Sequence, residues 1–253
     1  MEYIRLGKTD LLVSRIAFGA MRLSEDNQSE DTALIIRKAY ESGINFYDTS
    51  SSMPESEKLL GDALYDIRNN VFIATTTNCK TSKEVVENIE SSLMTLHCDY
   101  VDLYQYETED FLPEPDGSDG IYNTLLDLKN SGKAKHIGIV TVNYETAQKA
   151  VKSGLYETIQ FPFNMICPEE VSDLVKLCED YDVGFIAMQP LGGGVVENIP
   201  LALGFLKQYE SVVPIWGVQS QDEMNQILYF NDHPPVIDEQ FKADVERARL
   251  FFN

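Results

Sequence analysis

The chain has 253 residues, 43% of them hydrophobic, which is enough to bury one large core. Its 41 acidic residues against 20 Lys and Arg leave a formal net charge of -21, which repels a nucleic-acid backbone and excludes DNA or RNA as an expected partner. No linker rich in Pro, Gly or Ser interrupts it, so residues 1–253 read as a single domain.

In chain order, "YIRLGKTDLLV" comes first and reads as a hairpin turning at Gly7, Lys8, Thr9 and Asp10, placed to cover a barrel floor. Residues 1–19 lack the basic-then-apolar order of a signal peptide, and no window approaches the roughly 18 consecutive apolar residues of a membrane helix. The expectation is a cytoplasmic protein with no membrane partner. From Ile16 onward, short apolar and β-branched runs alternate with stretches of helical period. Candidate strands are Ile16–Gly19, Ile44–Tyr47, Val71–Thr75, Val101–Tyr104, His136–Ile139, Thr158–Phe161, Gly184–Met188 and Val212–Ile215.

Candidate helices lie between them, among them "SEDTALIIRKAYESG", "SKEVVENIESSLMTL", "GIYNTLLDLKNSG" and "PEEVSDLVKLCEDYD". In "SSSMPES", Ser56 and Glu57 read as a helix start, with Pro54 fixing the turn before it. After the last unit, "DEQFKADVERARLFF" reads as a closing amphipathic helix. Eight strand-helix units predict an α/β fold, a (β/α)8 TIM barrel. An open doubly wound sheet fits less well, because the first strand lacks a G-x-G-x-x-G turn and the strands recur at a nearly even spacing.

Cys79, Cys98, Cys167 and Cys178 have no C-x-x-C spacing, so neither a zinc nor an iron–sulfur site is expected. They read as small side chains kept reduced. None of His97, His136 and His233 falls where it would serve the barrel mouth as a base or metal ligand.

In such barrels chemistry gathers at the carboxyl ends of strands. That rule points to Asp48, Thr76, Glu107, Thr141, Asn143, Gln160, Asn164 and the loop "PLGGG". Here the chain resembles the aldo-keto reductase family. "GINFYDTSSSMPESEKLLG" is similar to the family's G-x-N-x-x-D-T-A-x-x-Y-G-x-S-E-x-x-x-G signature, "DYVDLYQ" to its strand-four motif, "GKAKHIGIV" to its approach to strand five, and "PLGGG" to its strand-seven loop. The resemblance implies hydride transfer from NADP or NAD to a carbonyl, with a Tyr donating the proton, a Lys and an Asp tuning that Tyr, and a His orienting substrate.

Aligned without gaps, Asp48 holds the Asp position, while Met53, Thr76 and Glu107 stand at the Tyr, Lys and His positions. A thioether has no proton to give and a hydroxyl no charge to lower a phenol's pKa, so carbonyl reduction is expected to be very weak or absent. Strand alternation aims neighbouring Tyr47 and Tyr106 elsewhere, so each would need a local bulge to reach the mouth. The cofactor positions implied are Gln160, Asn164, Leu191, Gly192, Gly193 and Gly217. Met188 and Val140 replace a ring-stacking aromatic and a Ser, and Lys207 is the only Lys or Arg between Leu177 and Phe241, which leaves phosphates little support. Backbone amides of "LGGGVVEN" remain available to them.

Other readings stay open. Asp48 and Glu107 could share one mouth for proton transfer, or hold a hard cation with water. Asp48 could instead accept loop amides while Glu107 is solvated. The acidic segment from Glu107 to Gly120 would overhang the mouth and favour cationic or neutral ligands, and Trp216 would plug the groove or pack against it. A non-catalytic protein that binds a small-molecule ligand at the mouth is the alternative from another class.

Overall fold

The computed structural model describes residues 1–25 and 29–252. Strands β3 (Ala17–Gly19), β4 (Phe46–Asp48), β5 (Phe72–Thr77), β6 (Val101–Glu107), β7 (Ala134–Val140), β8 (Thr158–Pro162), β9 (Gly184–Met188) and β10 (Val212–Gly217) are parallel and close into one barrel, β10 pairing with β3. The helices α1 (Ser29–Glu41), α2 (Pro54–Leu64), α3 (Ser82–Thr95), α4 (Ile121–Asn130), α5 (Tyr144–Ser153), α6 (Glu170–Asp180), α7 (Ile199–Lys207) and α8 (Gln221–Asp232) lie between and after the strands, and α9 (Glu239–Phe252) follows. All eight predicted strands are present.

Strand alternation divides the core into two layers. Ala17, Phe46, Ala74, Leu103, Ile186 and Val213 pack together inside the barrel. Their strand neighbours Phe18, Tyr47, Ile73, Tyr104 and Phe185 pack outward against the helices. Counting inward positions in steps of two carries Phe46 to Asp48, Ala74 to Thr76 and Leu103 to Gln105 and Glu107. Tyr47 and Tyr106 therefore face the helices: the Tyr47 hydroxyl donates to the Ile44 carbonyl at 3.2 Å and that of Tyr106 to the Cys79 carbonyl at 3.0 Å.

Strands β1 (Tyr3–Arg5) and β2 (Leu12–Ser14) form the predicted hairpin, and Leu6 between them is fully buried in the inner cluster, closing the floor. The close approach needs Gly184, where a Cβ would stand 2.8 Å from the Leu6 side chain.

Two expectations are corrected. Strand β6 runs on to Glu107 and β10 to Gly217, past the predicted ends. Helix α2 begins with Pro54 in its first turn, not at Ser56. Ser56 and Glu57 lie within it and are buried: Ser56 shares a 2.8 Å hydroxyl contact with Thr49, and the Thr75 hydroxyl donates to Glu57 at 2.7 Å.

Candidate functional site

A cavity of about 450 Å³ opens at the carboxyl ends of β3, β9 and β10 and reaches inward to Asp48 of β4 and Gln160 of β8. Asp48 is 1% exposed, and neither carboxylate oxygen has a hydrogen-bond partner. Burial pushes its pKa up from the usual carboxylate range to about 8, and Gln160, which faces it, only partly offsets this. Gln160 is itself held, since its Oε1 accepts from Gln105 Nε2 at 2.7 Å. Its amide NH2 is thus the group left to meet Asp48 or a ligand.

The walls are largely apolar, with Met188, Leu191, Ile215 and Trp216. Trp216 is 1% exposed and its indole Nε1 has no partner, so it packs as wall and the cavity stays open beside it. Arg22, half-buried in the short 3-10 turn Met21–Glu25 after β3, is the only Lys or Arg among the described residues of the lining. Its side chain lies over Gly217, where a Cβ would come within 2.7 Å of Arg22 Cδ.

Of the expected cofactor positions, Gln160, Leu191, Gly193 and Gly217 line this cavity. Asn164 and Gly192 do not. Asn164 is 4% exposed; it donates from Nδ2 to the Gln189 carbonyl at 2.9 Å and accepts from the Ile166 amide at 3.0 Å. It fastens the start of the strand-seven loop, where Gln189 takes the unusual φ of 56°. Gly192, at φ 56°, packs toward Ile166.

The three replaced positions lie outside the cavity lining. Met53 is half-buried before the first turn of α2, and the buried Thr76 hydroxyl donates to the Thr49 carbonyl at 3.4 Å. Glu107 is exposed at the end of β6. Asp48 and Glu107 are thus not brought together in this cavity, and among the described residues no three His, Cys, Asp or Glu side chains converge to hold a metal ion.

Thr141 and Asn143 have local tasks: Thr141 accepts the Asn143 amide at 3.1 Å and Asn143 caps α5 by accepting the Thr146 amide at 3.1 Å. The acidic segment after β6 is tied down, with Asp110 receiving Asn143 Nδ2 at 3.2 Å and Asp119 receiving the Ile121 amide at 2.8 Å, and none of its residues lines the cavity. The histidines bond elsewhere, His97 to Asp62, His136 to Glu157 and His233 to the Tyr229 carbonyl.

Two residues escaped the sequence reading. Arg22 stands three positions past strand one, whose loop the strand-end rule would have covered. Gln105 was legible as an inward polar position two residues beyond Leu103.

With this geometry in place, comparison with known proteins gives the family. The model of the Aldo/keto reductase family matches residues 15–200, and the chain belongs to that family. It is 28% identical over 228 residues to a probable aldo-keto reductase of Glycine max, covering 79% of this chain and 64% of that one. It is 29% identical over 246 residues to L-galactose dehydrogenase of Arabidopsis thaliana, covering 88% and 72%. The chain thus spans about two thirds of the length of these relatives.

Among solved structures, aldo-keto reductase AKR11C1 from Bacillus halodurans in its holo form superposes with a TM-score of 0.85 at 19% identity, covering 98% and 96% of the two chains. An aldo-keto reductase from Klebsiella pneumoniae in complex with NADPH gives 0.84 at 19%, covering 98% and 95%.

Proposed function

We propose that the cavity is the site of an NAD(P)-dependent oxidoreductase in which ordinary carbonyl reduction is very weak or absent. Gln160, Leu191, Gly193 and Gly217 would hold the dinucleotide, with Arg22 as the available counter-charge for a phosphate. Bound there, the cofactor supplies hydride chemistry. The protein supplies a water-poor apolar wall and, in Asp48, one titratable carboxyl. The carrying observation is the open cavity whose lining contains no Tyr, Lys or His among the described residues. Met53 and Thr76 cannot replace the general-acid help worth roughly 10²- to 10⁴-fold.

The test follows nicotinamide fluorescence while NADPH and NADH are titrated. Micromolar binding supports the reading; no response into the millimolar range overturns it. Replacing Met53 by Tyr, Thr76 by Lys and Glu107 by His together should then restore measurable aldehyde reduction.

The same lining supports the second reading, a ligand-binding protein without turnover. The proton-transfer or metal-assisted reading needs Asp48 and Glu107 together, and the exposed Glu107 outside the cavity weighs against it. The four free cysteines support a cytoplasmic location. No helix among the described residues is long and apolar enough to cross a membrane.

A further inference from the structure

We propose that the cavity over Asp48 takes a ligand that presents a protonated nitrogen, as an amine, an amidine or a protonated imine, to the Asp48 carboxylate. The inference rests on reading this cavity as the ligand site and concerns the substrate, not the dinucleotide.

Four observations lead there. First, both Asp48 oxygens are buried and neither closes a hydrogen bond of good geometry, the Gln160 amide that faces them being the one polar neighbour, although buried polar atoms nearly always have partners. Second, the carboxyl borders a cavity of about 450 Å³, so a ligand can supply what the protein does not. Third, among the described residues no compensating charge acts on Asp48. The neighbouring strands bring Gly19 from β3, Ala74 and Thr76 from β5, Gln160 from β8, Met188 from β9, and Ile215 and Gly217 from β10. Among the described residues Arg22 is the one other charged side chain on the lining, and it lies over Gly217. Fourth, Gln105 ties up the Gln160 carbonyl, leaving Asp48 as the acceptor beside that amide. The net charge of -21 further favours cations approaching the molecule.

Such a ligand also fits the missing proton donor. If the proposed dinucleotide were bound and the ligand were the protonated imine, the transferred hydride would convert C=N–H⁺ to a neutral amine with release of the oxidised dinucleotide, and the product would ask no proton of the protein. Addition to C=O leaves an alkoxide that does.

A cation seated on Asp48 favours its ionised form. Below pH about 8 binding therefore releases a proton, and affinity rises with pH until Asp48 is already ionised. Isothermal titration calorimetry with benzamidine and its neutral isostere benzamide, at pH 6 and pH 9 in buffers of different ionisation heat, reads both effects.

The expected result is that benzamidine binds at least tenfold more tightly than benzamide at pH 9. It should gain about a hundredfold from pH 6 to pH 9 and release about one proton at pH 6. Asp48→Asn should erase the preference. Should that variant fail to fold, the proton release by the wild-type chain decides alone. Equal affinity for the two probes, pH-independent benzamidine binding, or no binding of either into the millimolar range would overturn the proposal. If NADPH fails to bind while benzamidine keeps this signature, only the cofactor reading falls. NADPH binding with no benzamidine preference sinks only the present one.

Discussion

At the amino-terminal end of the barrel, Arg68 donates to Asp102 at 2.8 Å with both side chains at most 10% exposed, and Asp102 also accepts the Ile73 amide at 2.9 Å. Beside it, Glu157 takes Lys129 at 2.7 Å, His136 at 2.8 Å and the Ile137 amide at 3.1 Å. At the carboxyl end, Asp48 is buried just as deeply with only the Gln160 amide facing it and no charged partner among the described residues. The first end uses buried charge to pin strands together. The second leaves a carboxyl unsatisfied where a cavity reaches it, and a fold keeps such a defect only where something else gains by it.

The largest test of this contrast removes the orphan. Asp48 has a folded pKa near 8, above the ordinary 3.8, so its contribution to stability is complete below pH about 4 and is lost as pH rises through about 8. Relative to Asp48→Asn, which cannot ionise, the wild-type chain should lose up to about 1.4 kcal/mol per pH unit across that window. Denaturant melts at pH 4 and pH 8 measure it; no difference between the two chains would mean that Asp48 is solvated or paired.

Next, Asp102→Ala strands the Arg68 guanidinium and should cost about 3–5 kcal/mol at neutral pH. The effect should survive high salt, because the pair is buried.

Third comes acid. Burial alone would raise Glu157, yet hydrogen bonds from His136, Lys129 and the Ile137 amide outweigh it and hold the carboxyl down at about 2. Its stabilisation is therefore present above the ordinary 4.5 and lost as pH falls through about 2, a total of roughly 3 kcal/mol that Glu157→Gln should abolish. Urea melts between pH 5 and pH 2 give the slope.

Smallest, Arg22→Ala should weaken NADPH about fivefold, ~1 kcal/mol for a half-exposed charge, without moving the melting temperature. A large loss of stability would recast Arg22 as structural.

The barrel was legible because eight short apolar runs carry the parallel-sheet signal independently, so an error at one end does not disturb the rest. Asp48 was legible because it ends such a run. The ends of β6 and β10 were missed because polar or glycine residues, Gln105, Glu107 and Gly217, continue the hydrogen-bonded ladder after hydrophobicity has stopped marking it. The role of Asn164 was hidden for a related reason. Facing a ligand and fastening the backbone of the next loop both suit a carboxamide, and only its distance to the Gln189 carbonyl separates them. Arg22 comes from the opposite end of the sequence to the groove it lines, which a search along strands seven and eight does not reach.

Leu6 finally bears on traffic. With the hairpin stopper seated under the inner cluster, the cylinder is a blind well. Water leaving as a ligand arrives therefore cannot drain through the floor and must depart on the side of the strand ends.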